Sequence, residues 1–461
     1  MGLDFISRQA PYWHALVVVT ALLVYFTVNR TLNRRSYPSA VLSWVLLLVF
    51  MPYIALPLFL LFGTRKFVRR ERIAVAQPGA YARYAETAWP QRLAASMDLA
   101  PAAGYTSLNI HENGMAAKRA LVDVIRGATR TLDVSTFILG RDPLGDEIVR
   151  ELCSRATQGV RVRFLIDGLG RFLDGHASLR PLIAGGAEVA VFMPILHSPR
   201  EGRTNLRNHR KLVIADARRL WCGGRNLAAE YFEGTGGSKP WRDLTFDLEG
   251  GAAAVASQSF ARDWAFTTKN RAPAGTAPPA VEDGRTAQLF PSGPDQTYDT
   301  VLALLVSACF RSNACIQAVT PYFVPDEALL MALTLAARRG VEVDLLVPAK
   351  SNHRLADIAR HRALRNLAAA GARVWLCPDM IHAKTVVCDD TIAIAGSANL
   401  DSRSLFLNYE LMLAFYDTAD VARFASWIER QRLDAQRYVA HRPSLARDLL
   451  EGLILWVAFQ L

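Results

Sequence analysis

Residues Ile381 to Asn408 read IHAKTVVCDDTIAIAGSANLDSRSLFLN, and the fold turns on them. His382 and Lys384 are two apart, so on an extended strand their side chains share a face. Asp389 closes that run, an apolar strand follows from Ile392 to Ala395, and Gly396-Ser397 turns the chain toward Asn399. An imidazole, an ammonium and a carboxamide gathered at one strand end suit a phosphate: one group attacks it and the others hold its oxygens. Upstream, Asn208 to Asp216 (NHRKLVIAD) repeats the His-x-Lys-x4-Asp spacing, and Gly223-Gly224-Arg225-Asn226 repeats Gly-x-x-Asn. From the histidine to the glycine is 14 residues in both copies, and from the histidine to the asparagine 17. One such motif carries little weight; two with matched trailing residues are hard to obtain by accident.

The repetition extends well beyond the motifs. In the first half, helical periodicity over Gly114–Gly127 precedes a strand at Leu132–Ile138, a helix over Asp146–Thr157 and a buried strand after Gly159. Another strand opens at Gly186. The second half answers with a helix near Tyr298–Phe310, a strand at Ile316–Thr320, and strands after Gly340 and Gly371, offset by 181 and 185 residues from Gly159 and Gly186. The motif histidines are offset by 173. Similar offsets across a whole half mean a duplicated domain. Strands alternating with helices then predict two duplicated α/β domains, each a sheet flanked by helices, packed about a pseudo-twofold axis.

The predicted boundaries are a transmembrane hairpin over 1–66, a connector over 67–105, α/β domains over 106–268 and 286–440, a Pro/Ala/Gly/Thr-rich linker over 269–285 and an apolar tail over 441–461. The hairpin expectation rests on two uncharged segments, Gln9–Asn29 and Ser36–Thr64, each with an apolar centre near the ~20 residues a bilayer requires. Six basic residues flank the spans (Arg8, Arg65, Lys66, Arg69, Arg70, Arg72) and three lie between them (Arg30, Arg34, Arg35), which favours both ends and the α/β domains on the cytoplasmic side. The tail ends LLEGLILWVAFQL, too short to span, and reads either as an interfacial helix or as one packed on the core.

A chain of 461 residues, 51% hydrophobic with net charge +11, is neither disordered nor a disulfide scaffold. The charge fits an anionic partner, nucleic acid or acidic lipid, and equally a positive-inside bias with solvated surface. Six cysteines without C-x-x-C or zinc spacing read as reduced core thiols. Arg200, Arg203, Arg207 and Arg210 form a basic approach to the first motif, read as receiving lipid headgroups or as solvated surface.

The paired motifs resemble the phospholipase D superfamily over roughly Leu108 to Asp417. Within it, the N-terminal spans together with TPYFVPDEALL, NHRKLVIAD, PWRDL, IHAKTVVCDD and GSANLDSRSLFLNYE are similar to bacterial membrane-anchored cardiolipin synthases. Three positions depart from the usual pattern: Gly224 where Ser is common, Phe137 where the other half has Tyr322, and Cys388 where Val is usual. The resemblance implies a phosphatidyltransferase of the bacterial inner membrane that joins two phosphatidylglycerols into cardiolipin and glycerol. Its partners would be phosphatidylglycerol and the bilayer, with no nucleic acid and no obligate protein partner. The alternatives are a phospholipase D, a transferase with another alcohol acceptor, or a nucleic-acid phosphodiesterase, which the two spans disfavour.

The chemistry stands beside the resemblance. A neutral imidazole can attack an anionic phosphodiester and carry it covalently, while a second, protonated, donates to the leaving alkoxide and later serves as base. The motif's catalytic set is His209, Lys211, Asp216, His382, Lys384 and Asp389; by the family pattern His209 is the nucleophile and His382 the acid and base. Lys211, Lys384, Asn226 and Asn399 are expected to hold the non-bridging oxygens, and Ser397 either joins them or caps a turn. The lysines supply positive charge, so no metal and no cofactor is implied. Asp216 and Asp389 fall on the opposite face of a straight strand and are expected to brace loops instead of touching substrate. Each histidine also needs a carboxylate to fix its tautomer, and aligning RDL with YEL nominates Asp243 for His209 and Glu410 for His382.

Overall fold

The computed structural model describes residues 2–31, 38–62, 89–173, 178–194, 205–270 and 284–457. Three helices open the chain, α1 (Gly2–Thr31), α2 (Pro38–Phe50) and α3 (Pro52–Phe62), and α4 (Trp89–Ser96) leads into the first half. That half runs β1 (Ala103–His111), α5 (Gly114–Gly127), β2 (Thr131–Thr136), α6 (Pro143–Thr157), β3 (Arg161–Asp167), α7 (Gly168–Leu173), α8 (Arg180–Ala184) and β4 (Glu188–Phe192). It ends with β5 (Leu212–Ala215), β6 (Arg219–Gly223), β7 (Thr245–Gly250) and α9 (Gly251–Thr268). The second half begins β8 (Thr286–Ser292), α10 (Thr300–Arg311), β9 (Cys315–Val319), β10 (Phe323–Val324), α11 (Glu327–Arg338), β11 (Glu342–Pro348) and α12 (Arg354–Ala369). It continues with β12 (Arg373–Cys377), β13 (Thr385–Cys388), β14 (Ile392–Gly396), β15 (Leu400–Asp401), α13 (Ser402–Phe406), β16 (Glu410–Phe415), α14 (Thr418–Arg432), β17 (Gln436–Arg437) and α15 (Leu445–Val457). Most of the expected linker and connector, 271–283 and 63–88, lies outside the described residues.

One sheet of fifteen strands joins the halves in the order β17-β12-β11-β9-β13-β14-β16-β8-β1-β7-β6-β5-β2-β3-β4. The join is the short antiparallel pairing of β1 with β8, Ala103 opposite Ala287 and Gly104 opposite Thr286. Outward from it the two halves mirror one another, with β5, β6 and β7 matching β13, β14 and β16. Each half carries three parallel strands at its far side, β2-β3-β4 and β9-β11-β12. Parallel strands covered on both faces read as continuous apolar runs, and β11 is buried along all but its first residue. One apolar core straddles the join, with Phe246 against Phe415 at 5.3 Å and Phe415 against Phe424 at 4.9 Å. Two further cores fill the halves.

The expectation of a membrane-crossing hairpin meets a definite limit here. Among the described residues, no helix is long and apolar enough to cross a membrane. The second apolar segment is divided at Met51, because Pro52 has no backbone N–H, while Pro57 is accommodated inside the 11-residue α3. Ala21, Tyr25, Leu48, Ala55 and Phe59 nevertheless pack α1, α2 and α3 together.

Asp216 and Asp389 are not in the site. Each occupies the left-handed region, φ 55° and 50°, in the turn after its motif strand, a conformation Asp tolerates. The Asp216 carboxylate accepts from the N–H groups of Thr129, Arg130 and Thr131 at 2.9, 2.7 and 2.8 Å. Asp389 repeats the arrangement on Asn313, Ala314 and Cys315 at 2.9, 2.9 and 2.8 Å. Both therefore tether the loop entering the first parallel strand of their half, and counting them as catalytic is corrected. Asp216→Ala and Asp389→Ala should each cost about 1–3 kcal/mol in thermal unfolding while turnover per folded molecule stays near wild type; full stability with abolished turnover would contradict this.

Candidate active site

The two motif strands begin at the seam between the halves, and backbone bridges there bring the halves into contact. His209 N–H donates to the Tyr409 carbonyl at 2.9 Å and Tyr409 N–H to that of Arg207 at 2.8 Å. His382 N–H donates to the Arg242 carbonyl at 2.6 Å and Arg242 N–H to that of Met380 at 2.9 Å. Each histidine is thus registered against the strand of the other half that carries a carboxylate, Glu410 or Asp243.

The carboxylates consequently pair across the halves. His382 Nδ1 lies 2.8 Å from Asp243 Oδ2, and His209 Nδ1 lies 3.4 Å from Glu410 Oε1. The assignment of Asp243 to His209 and Glu410 to His382 is reversed, because crossing bridges, not strand order within a half, bring the groups together. Both carboxyls lie below their usual range. Burial alone would raise them, but hydrogen bonds from the imidazoles and the nearby lysines outweigh it.

The bracing differs between the halves. Ser397 Oγ donates to Glu410 Oε2 at 2.6 Å and accepts from Leu411 N–H at 2.9 Å, so Ser397 holds the carboxylate instead of a phosphate or a turn. On the other side Gly224 leaves no room for a serine, since a Cβ there would sit 2.2 Å from Asp243 Oδ1. Asp243 Oδ1 is buried without a hydrogen-bond partner among the described residues. The shorter Asp with Gly and the longer Glu with Ser are two steric solutions to the same brace.

Charge is concentrated in this buried cluster. Lys211 Nζ donates to the His209 carbonyl at 2.7 Å, and Lys384 Nζ donates to the His382 carbonyl and lies 2.8 Å from that ring's Nδ1. Burial lowers both ammonium pKa values, and with Lys211 beside it Lys384 falls to about 7. Burial holds His209 to about 4, and burial with the Lys384 charge holds His382 to about 3. Both imidazoles are neutral at pH 7. Because Lys211 acts electrostatically on His382 and Lys384, the two sets form one site.

Aromatic rings close the cluster. Phe137 lies on His209 at 4.2 Å, and Tyr231 and Trp241, both from the first half, lie on His382 at 5.1 and 5.6 Å. Asn226 donates to the Tyr231 hydroxyl at 2.7 Å, and Asn399 Oδ1 is buried without a partner among the described residues. Tyr231 and the stacking role of Trp241 escaped the sequence reading; only PWRDL beside the brace could have flagged Trp241. Of the basic approach, Arg200 and Arg203 lie outside the described residues. Arg210 is buried against Asp263 at 2.5 Å and Arg207 against Asp167 at 3.4 Å, so neither offers a solvent-facing charge. A cavity of about 420 Å³, lined by Asp263, Asp295 and Tyr409 among others, opens beside the Arg210 pair instead of at the imidazoles. Among the described residues, no group of His, Cys, Asp and Glu could hold a metal ion.

Fold and cluster define a class: a duplicated α/β enzyme of the phospholipase D type. The chain belongs to the family described as cardiolipin synthase, phospholipase D-like domain, whose profile matches residues 121–238 and 307–432. Cardiolipin synthase A of Pseudomonas entomophila is 31% identical over 436 residues, covering 90% of this chain and 89% of that one. The same enzyme of Pseudomonas syringae is 33% identical, covering 88% and 89%. In fold, the chain is similar to the crystal structure of phosphatidylserine synthase from Haemophilus influenzae (TM-score 0.63, 14% identity), with 81% of this chain and all of that one covered.

The depressed His382 pKa has a thermodynamic consequence. Between pH 6.5 and about 3 the folded chain binds fewer protons at this residue than the unfolded chain, so stability rises with pH across that window. Acidification from pH 7 to 4 should therefore lower the melting temperature, and less steeply in His382→Gln. Equal slopes in both proteins would contradict a neutral buried imidazole.

Proposed function

We propose that this chain makes cardiolipin by two displacements at one phosphorus. His209 Nε2 attacks the phosphorus of one phosphatidylglycerol, the bond to the headgroup glycerol oxygen breaks, and His382 donates the proton that glycerol carries away. His382 then takes the proton from the headgroup hydroxyl of a second phosphatidylglycerol, whose oxygen attacks the phosphohistidine and frees His209. Overall, two phosphatidylglycerols give cardiolipin and glycerol; the support for cardiolipin as product is the family to which the chain belongs. The observation that carries this reading is the cross-braced pair: each Nδ1 faces a carboxylate, which turns Nε2 away from the brace, with Lys384 Nζ 3.0 Å from Nε2 of His382.

His209 suits the nucleophile because its side chain is 21% exposed against 9% for His382, which is more tightly braced. Lys211 and Lys384, with Asn226 and Asn399, hold the non-bridging oxygens. The bound phosphodiester's negative charge raises the proton affinity of the imidazoles, which lets His382 act as an acid near neutral pH. Ser397, Asp243 and Glu410 keep the rings aligned. The chemistry needs no metal, cofactor or protein partner.

The domain scheme of two α/β units, 106–268 and 286–440, accompanies this reading, with residues 1–66 as an anchor in the bacterial inner membrane. Its support is that hydrogen bonds run across Met51, from Met51 N–H to Leu47 O and from Ala55 N–H to Met51 O, so α2 and α3 form one kinked rod. Leu16, Val19, Leu23, Phe26, Leu42, Leu46 and Ile54 face outward from the cluster of α1 to α3. The flanking basic residues favour the cytoplasmic face for the α/β domains.

Purified protein in mixed micelles with phosphatidylglycerol as sole lipid substrate should release cardiolipin and glycerol in equal amounts; absence of both would refute the reaction. His209→Ala should abolish turnover, and His382→Ala should accumulate a phosphatidyl adduct on His209. Lys211→Met should lower kcat by about 10²–10³, the loss expected for one oxyanion-type donor.

A further inference from the structure

We propose that the catalytic face itself docks on an anionic lipid surface through the outward leucines of α15, with an exposed leucine of the first half completing the contact. The proposal rests on the lipid-transferase reading and concerns how that site meets its substrate.

The helix α15 is inside out for a helix in water. Its acidic side chains are tied down on one side: half-exposed Asp448 holds Arg362 at 2.9 Å, and fully buried Glu451 holds Arg365 at 2.6 Å and the exposed Arg447 of the same helix at 3.2 Å. Ile454 joins this inward face, packed with Ala359 and Val324. On the opposite face Leu445, Leu449 and Leu453 recur every four residues at 77%, 66% and 63% exposed, with Leu450 beside them at 48%. At 100° per residue these two sets point in opposite directions. A helix packed for a watery exterior would have the reverse orientation, and unpaired leucines in such a row signal an apolar partner.

Where the face sits argues for lipid as that partner. Val324, packed with Ile454, is two residues from Tyr322, the sequence counterpart of Phe137, and Tyr322 itself lies edge-on to His353 at 6.1 Å. The Tyr322 hydroxyl donates to Asn352 at 2.5 Å, at the lip from which α12 starts. Leu355 in the first turn of α12 extends the exposed apolar surface. In the first half, α7 backs directly onto Phe137, for a Cβ on Gly170 would lie 1.8 Å from the Phe137 carbonyl, and α7 ends at Leu173, 64% exposed. Both halves therefore present exposed leucines on elements adjoining Phe137, which lies on His209, and its sequence counterpart Tyr322. Lys350, Arg354 and Arg442 are exposed around the second-half face, matching anionic headgroups. Apolar insertion with a basic rim would hold the cleft against the bilayer so that a headgroup phosphate reaches the imidazoles while its acyl chains stay in lipid.

The test uses the full chain reconstituted into vesicles of phosphatidylcholine with phosphatidylglycerol. Leu453→Trp should add fluorescence that acyl-brominated phosphatidylcholine quenches and aqueous acrylamide does not; acrylamide quenching without bromolipid quenching would overturn docking. A Leu449→Asp/Leu453→Asp variant should lose turnover on vesicles by about ten-fold, and keep turnover of monomeric short-chain phosphatidylglycerol. Unchanged vesicle turnover, or equal loss on both substrates, would overturn the proposal. A wild-type chain that turns over neither form refutes the assigned reaction instead, and the quenching result then decides docking alone.

Discussion

Each motif imidazole is held by a carboxylate that belongs to the other half of the chain, and the site depends on that exchange. Asp243 reaches His382 and Glu410 reaches His209 because the bridges Arg242 to Ile381 and Asn208 to Tyr409 cross the seam. Neither half can build a working site alone. The sheet, continuous through β1 and β8, fixes the register in which the two strand ends face each other. Burial at the seam then does the electrostatic work: it strips protons from both histidines and weakens the lysine ammonium groups, while the two carboxylates stay ionised.

The pseudo-twofold is close enough to duplicate Asp216 on Asp389 but is broken around the two histidines. Glu410 is supported by Ser397 and by the Asn408 amide at 3.2 Å, whereas Asp243 keeps one oxygen unpartnered beside Gly224. Aromatic cover differs as well. Phe137 covers His209 from within the same half, whereas Tyr231 and Trp241 cover His382 from the opposite one. Two copies of one motif have thus acquired unequal environments, which suits the proposed division into nucleophile and proton carrier.

Much of this was legible in the residues. The His-x-Lys spacing puts both groups on one strand face whatever surrounds them, and matched offsets reveal a duplication because equivalent strands and helices must recur in order. The loop-bracing role of Asp216 and Asp389 followed from strand parity alone. The pairing of carboxylates did not, because a duplicated sequence is equally consistent with bracing inside a half and across halves; only the crossing bridges decide. Arg207 and Arg210 looked like a solvent-facing approach because charge in sequence says nothing of burial, and their partners Asp167 and Asp263 lie 40 and 53 residues away. The inverted α15 was half visible: its apolar tail was plain, but which side faces the protein depends on Arg362 and Arg365 of another helix.

The cross-brace is open to direct measurement by double-mutant cycles on unfolding free energy, using Asp243→Asn and Glu410→Gln with His209→Gln and His382→Gln. The account predicts coupling for Asp243 with His382 and for Glu410 with His209, and additivity for the two same-half combinations. Coupling within the halves and additivity across them would contradict it.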